Sequence, residues 1–150
     1  MEDIFVVGVG MTPFGRHLDK DIKGLTREAV TAALVDAGLQ KEDLGAAFFG
    51  NTSQGHMDGQ HMIRGQIALR AMGIGRIPVV NIENACASGS SAFVLACNHL
   101  KSGAGDVALA VGAEKMFSTD KLKMFSVFDS AWDLSRAEEI RAELMKMGRD

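Results

Sequence analysis

At 150 residues the chain is long enough for one compact domain with a sizeable core and too short for two ordinary ones. Hydrophobic residues make up 47% and charged residues 23%, a composition that excludes a disordered or fibrous chain. A net charge of -3 without any basic block argues against nucleic acid or an anionic membrane as the main partner and points to a small substrate.

Ile4 to Val9 are apolar and mostly β-branched and run into Gly10, Pro13 and Gly15, the pattern of a strand buried on both faces. Leu25, Ala29, Ala33, Leu34 and Ala37 recur at helical spacing before a stop at Gly38. Ala46 to Phe49 read as a second strand ended by Gly50, and the polar stretch Asn51 to Gly59 as a surface loop. Met62, Ile63, Ile67 and Met72 predict a second helix stopped at Gly73, and Pro78 leads into a strand with Val79, Val80 and Ile82. Ala87 to Leu100 form the third helix and Val107 to Val111 the fourth strand. The βαβαβαβ alternation predicts an α/β layered sheet, largely parallel, with covering helices. Beyond Gly112, Met116, Phe117, Met124, Phe125, Phe128 and Trp132 keep no clean period and read as a loop-rich excursion. It closes in a helix with Ser135 and Glu138 as capping box and Leu134, Ala137, Ile140, Leu144 and Met147 as one stripe. The expected division is an α/β half over residues 1–114 and a partial loop domain over 115–150.

The stretch ENACASGSSAF, Glu83 to Phe93, carries the chemistry. A nucleophilic thiol works as thiolate, and a strand that delivers it to the positive end of a helix favours that charge. Cys86 sits at such a junction, where helix amides also suit an oxyanion. The small residues after it weaken the helix, by ~1 kcal/mol at Gly89 alone, which implies a central helix packed close to its neighbours. Asn84 and Ser88 flank the thiol and can orient a substrate or serve as turn and cap. Gly89 reads as a point of close backbone approach. A free cysteine is as often a small buried hydrophobe, and the spacing leaves both readings open. If Cys86 and Cys97 share one helix they lie ~16 Å apart along its axis at ~1.5 Å per residue, too far to pair. Two free thiols fit a reducing compartment.

NACASGSSA resembles the nucleophile motif of the thiolases, nearest the branch of sterol carrier protein thiolases and archaeal thiolases. VVGVGMTPFGR resembles that branch's first strand and loop, REAVTAALVDAGL its first helix, and DVALAVGAEKM the strand and Gly-x-Glu-x-Met turn after the nucleophile helix. The resemblance implies the N-terminal half of the thiolase fold, with a mixed sheet, and a homodimer in which Val79 to Glu83 meets its counterpart. It implies an acyl-CoA acyltransferase in which Cys86 takes the acyl group from coenzyme A, as substrate or product, and passes it to coenzyme A or a carbanion. Asn84, Ser88 and Gly89 would support the substrate, and no metal takes part. The family's activating histidine and second acid/base residue belong to its second half. His17, His56, His61, His99 and Cys97 do not stand in the contexts of those residues. The chain is thus expected to need a second half or a partner chain for turnover.

The alternatives are a non-catalytic thiolase-like protein that binds acyl-CoA or lipid or stabilises a partner, and a condensing ketoacyl or hydroxymethylglutaryl synthase. His56, Asp58 and His61 fall short of the three or four ligands of a zinc site. Pro13 and Phe14 break any nucleotide-binding fingerprint after the first strand. Glu114 is read as a local hydrogen-bonding residue rather than the base. No window reaches the roughly 18 apolar residues of a membrane span, and Glu2 and Asp3 stand where a leader would be basic. A soluble cytoplasmic protein is expected, peroxisomal if eukaryotic.

Overall fold

The computed structural model describes residues 3–148, and its contacts divide the chain after Phe117 into two compact units. The first is organised by β1 (Ala46–Gly50), which lies between β2 (Val79–Ile82) and β3 (Ala108–Gly112), parallel to both. All five residues of β1 are buried, which explains why its sequence is a continuous apolar run and not an alternating one.

The two faces of β1 nonetheless see different partners. Ala47 and Phe49 face a core completed by Ile22 and Val30 of α1 (Ile22–Ala37) and Ala68 and Leu69 of α3 (Arg64–Arg70). Ala46 and Phe48 face Ala92 and Ala96 of α4 (Ser88–Lys101), with Ala108 and Ala110 of β3 alongside. The result is three layers, helix on sheet on helix. Alanine meets alanine under α4, so that helix can lie close to the sheet. Its outer residues Phe93 and Val94 stay exposed, so α4 is covered on one side rather than surrounded.

Ile4 to Val9 do not form the expected strand. The segment pairs with no strand and rests on α1: a Cβ at Gly10 would collide with the Ala29 carbonyl oxygen, and one at Gly8 with that of Ala33. The Val9 amide donates to Asp36 Oδ2 at 2.9 Å. Held there, the segment exposes Val6, Val7 and Val9, and an apolar cleft of about 520 Å³ lies between it and β3.

Other boundaries move for local reasons. α1 begins three residues before Leu25 because the Asp21 carboxylate accepts from the Gly24 amide at 2.8 Å. α3 excludes Met62 and Ile63, since Ile63 takes a left-handed φ of 48° and both side chains are exposed. The polar stretch after β1 is no simple surface loop: it contains α2 (Gln54–Asp58), and Asn51, Ser53, Gln54 and Met57 are buried.

The second unit is more helical than its sequence suggests. Asp120 caps α5 (Lys121–Ser126) by accepting from the Lys123 amide at 3.0 Å, and a 3-10 turn over Val127–Ser130 follows. The expected Ser135–Glu138 capping box is absent. Asp133 does the capping, accepting from the Ser135 amide and hydroxyl at 3.0 and 2.6 Å, and α6 (Ala137–Met147) follows a short 3-10 turn. Among the described residues no helix is long and apolar enough to cross a membrane.

Candidate active site

The three parallel strands end level with one another: Gly50 pairs with Ile82 on one side and Gly112 on the other. Three segments therefore leave the sheet side by side, Asn51–Ser53, Glu83–Cys86 and Ala113–Glu114. Ligand sites of parallel sheets form at such carboxyl ends.

Cys86 lies here, in a 3-10 turn (Ala85–Ala87) between β2 and α4, and is exposed. It is neither in mid-strand nor in mid-helix. Ala85 before it takes a left-handed φ of 45°, a conformation that costs a residue with a Cβ about 1–2 kcal/mol. Both polar atoms of Ala85 are fastened. Its amide donates to Glu83 Oε1 at 2.7 Å. Its carbonyl accepts from the Ser88 hydroxyl at 2.8 Å and lies 3.0 Å from the Thr52 hydroxyl. The two hydroxyls are 2.9 Å apart, so Thr52, Ser88 and the Ala85 carbonyl form one closed group of polar contacts. Ser88 Oγ also accepts the Asn84 amide at 2.8 Å, and Asn84 Nδ2 donates to Ser91 Oγ at 2.9 Å.

The neighbouring loops are tied as firmly. Asn51, buried, donates from Nδ2 to the Ala113 carbonyl at 2.6 Å and accepts at Oδ1 from Arg64 Nη1 at 2.9 Å and from the Gln54 amide at 3.2 Å. The Glu114 carboxylate accepts from the Thr52 amide, the Ser53 hydroxyl and, at 3.1 Å, the Ser53 amide. Glu114 thus straps the loop after β3 to the loop after β1. Glu114 is the hydrogen-bonding residue that its sequence suggests, but its partners are not legible there, because Asn, Thr and Ser after a strand look like ordinary turn formers. Their place at the end of a parallel strand was the available signal.

Of the sequence candidates, Cys86, Asn84 and Ser88 come together. Gly89 does not act as expected: a Cβ there would enter open space. The close approach is made by Gly50 instead, whose Cβ would stand 2.8 Å from the Ser88 carbonyl oxygen. His99 sits near the far end of α4, about 16 Å from the helix start at ~1.5 Å per residue, with its ring edge-on to Phe48. His17 Nε2 lies 2.7 Å from the Pro13 carbonyl oxygen.

A cysteine on a strained turn at the mouth of an α/β layer is a geometry that several enzyme families could use, so comparison decides between them. The profile described as "Thiolase, N-terminal domain" matches residues 4–148. The chain belongs to the thiolase family. This thiolase domain is 39% identical over 133 residues to the acetyl-CoA acetyltransferase of Methanocaldococcus jannaschii, covering 89% of the chain and 33% of that protein. It is 39% identical over 116 residues to the non-specific lipid-transfer protein-like 2 of Caenorhabditis elegans, covering 75% of the chain and 27% of that protein. The structure of an acetyl-CoA acetyltransferase from Syntrophomonas wolfei superposes with a TM-score of 0.59 at 25% identity, over 69% of this thiolase domain and 26% of that chain. The thiolase domain therefore spans about a third or less of the length of these relatives.

Proposed function

We propose that this domain carries the nucleophile of an acyl-CoA acyltransferase, forming or cleaving β-ketoacyl-CoA through an acyl-enzyme on Cys86. The single observation that carries the reading is the exposed thiol on a strained turn whose peptide is fastened at both ends. The Cys86 thiolate attacks the thioester carbonyl, the carbonyl oxygen takes the negative charge, and the C–S bond to coenzyme A breaks as that charge returns. The departing coenzyme A thiolate takes a proton, and the acyl group remains on Cys86 until a second coenzyme A thiolate or a carbanion accepts it. Asn84 and Ser88 border the thiol in sequence and hold its turn, Ser88 from a buried position and Asn84 from the exposed side.

Proton handling is the part for which this domain offers least. The His99 ring packs edge-on against Phe48, and His17 Nε2 meets the Pro13 carbonyl oxygen. A complementary half or a partner chain supplies the base in this reading, and a homodimer is its natural assembly. The test is acyl transfer from acetyl-CoA, read by peptide mass mapping. Acetylation of Cys86 in the native chain, faster than at Cys97 and faster than in the urea-unfolded chain, is expected. Equal labelling of both cysteines, or no gain on folding, would overturn the proposal.

A second reading, binding of lipid or acyl-CoA without turnover, has one observation in its favour. The apolar cleft of about 520 Å³ beside β3 is lined by Val7, Val9, Phe93, Leu100, Leu109 and Val111, within the range of ~300–1,000 Å³ of small-molecule sites. A fluorescent fatty acid that binds the Cys86→Ala chain as well as the native one, with no acetylation of the native one, would favour this reading over the first.

A further inference from the structure

Thr52 belongs to the loop after β1, yet its hydroxyl reaches the turn that carries Cys86. It is separated from Ala85 by 33 residues and from Ser88 by 36, so the contact joins two strands' loops and is no by-product of local turn formation. We infer that Thr52 and Ser88 are positioning residues for Cys86: together they hold the Ala85 carbonyl and so set the direction in which the thiol projects. The inference rests on the proposed nucleophile role of Cys86.

The physical argument starts from strain. A left-handed φ at Ala85 persists only where surrounding contacts over-determine it. The Glu83 carboxylate holds the amide side of that residue, but Glu83 and Ala85 are neighbours on one exposed loop and can move together. The carbonyl side is different. Ser88 is buried beneath the first turn of α4, and Thr52 is anchored through its own amide to Glu114. These two hydroxyls are therefore the points at which the turn is referred to the rigid ends of β1, β3 and α4. Cys86 follows Ala85 directly, so rotation about the Ala85 peptide turns the thiol with it.

Valine at position 52 keeps the shape of threonine and removes the hydroxyl. Ala85 is exposed, so its carbonyl can turn to water and the fold survives. What changes is the direction of the thiol, and misplacements on the order of 1 Å cost up to ~10²-fold in rate.

The test uses iodoacetamide, which needs no acyl-CoA, and follows Cys86 with Cys97 as the internal reference in one native chain. Thr52→Val is expected to slow Cys86 alkylation about threefold, as the thiol loses its fixed place at the amide-rich start of α4, at an unchanged Cys97 rate and unchanged thermal midpoint, and Thr52→Ser is expected to restore it. An unchanged or faster Cys86 rate in Thr52→Val overturns the inference. Should that variant lose the native circular-dichroism spectrum, Ser88→Ala, which reaches the same carbonyl from the helix side, must show the same selective loss or the inference falls. Acetylation by acetyl-CoA is run on the same chains. Its absence from the native chain removes the proposed function and leaves the alkylation result standing by itself.

Discussion

Gly50 at the end of β1 lies so close under Ser88 that a Cβ on it would come within 2.8 Å of the Ser88 carbonyl oxygen and 3.1 Å of the Gly89 amide nitrogen. The obstacle is backbone, which cannot swing aside as a side chain does. Gly50→Ala is therefore expected to lift the start of α4 off the sheet and to cost about 1–3 kcal/mol, the usual range for overpacking. Urea unfolding measures it. Because Cys86 lies two residues before the start of α4, the same variant should also slow alkylation of Cys86. A stable Gly50→Ala chain with native Cys86 reactivity would mean that the helix start and the thiol are mechanically independent.

Glu114 supports the opposite wall. Its carboxylate takes two backbone amides and one hydroxyl of the Thr52–Ser53 pair, and hydrogen bonds to a charged group are worth about 1.5–3 kcal/mol each where they are kept from water. Glu114 itself is exposed, so the lower end applies. Glu114→Gln retains one carbonyl acceptor and should lose about 1 kcal/mol, whereas Glu114→Ala, leaving the buried Ser53 without its partner, should lose more. Denaturant midpoints of the three chains order them.

Much of this arrangement could be read from residue order, and the reasons for the remainder are specific. The strand at 46–50 is legible because a parallel strand covered on both faces is apolar throughout, and those at 79–82 and 108–112 because short β-branched and apolar runs stand between turn residues. Ile4 to Val9 carry the same signal and yet pair with nothing in the sheet. Residue type alone does not say whether an apolar run finds a ladder or lies against a helix through Gly8 and Gly10. Cys86 was placed correctly between a strand and a helix. Thr52 was invisible, since its importance lies in a contact across 36 residues with Ser88. The start of the last helical stretch differs for a simpler reason. Asp133 and Ser135 are both good caps two residues apart, and the Asp133 carboxylate takes the amide at the head of the 3-10 turn before α6, whose own first residues have no side-chain cap.

Asp21 makes a pH prediction. Burial pushes its carboxyl upward, but the Gly24 amide and neighbouring Lys23 outweigh that and hold it below its ordinary value of 3.8. A carboxylate depressed in the folded state stabilises the fold above its unfolded pKa and loses that contribution as pH falls through the folded one. Asp21→Ala should thus cost about 1 kcal/mol at neutral pH, the usual worth of an N-cap. The gap between variant and native chain should close below pH 3.8. Urea titrations at several pH values test this, and a gap independent of pH would assign the loss to something other than the charged cap.

β2 stands at the edge of the sheet with Val80 exposed, while its other side pairs with β1 through Phe48 opposite Val80. An edge strand carries a row of unpaired amides and carbonyls along its free side, and an apolar one invites another strand. Asn81 does not blunt this edge, because its side chain is committed inward to the Gly65 amide at 2.6 Å and Gln66 Oε1 at 2.6 Å. The homodimer proposed above would join two such edges. Val80→Lys places a charge on that strand without disturbing the Asn81 contacts, and should shift the chain from dimer to monomer in sedimentation velocity while leaving its unfolding midpoint, measured at low concentration, nearly unchanged. Val6→Lys, on the exposed segment resting on α1, is the control. If it dissociates the chain and Val80→Lys does not, association runs through the N-terminal segment beside the apolar cleft, and the β2 edge is not the contact.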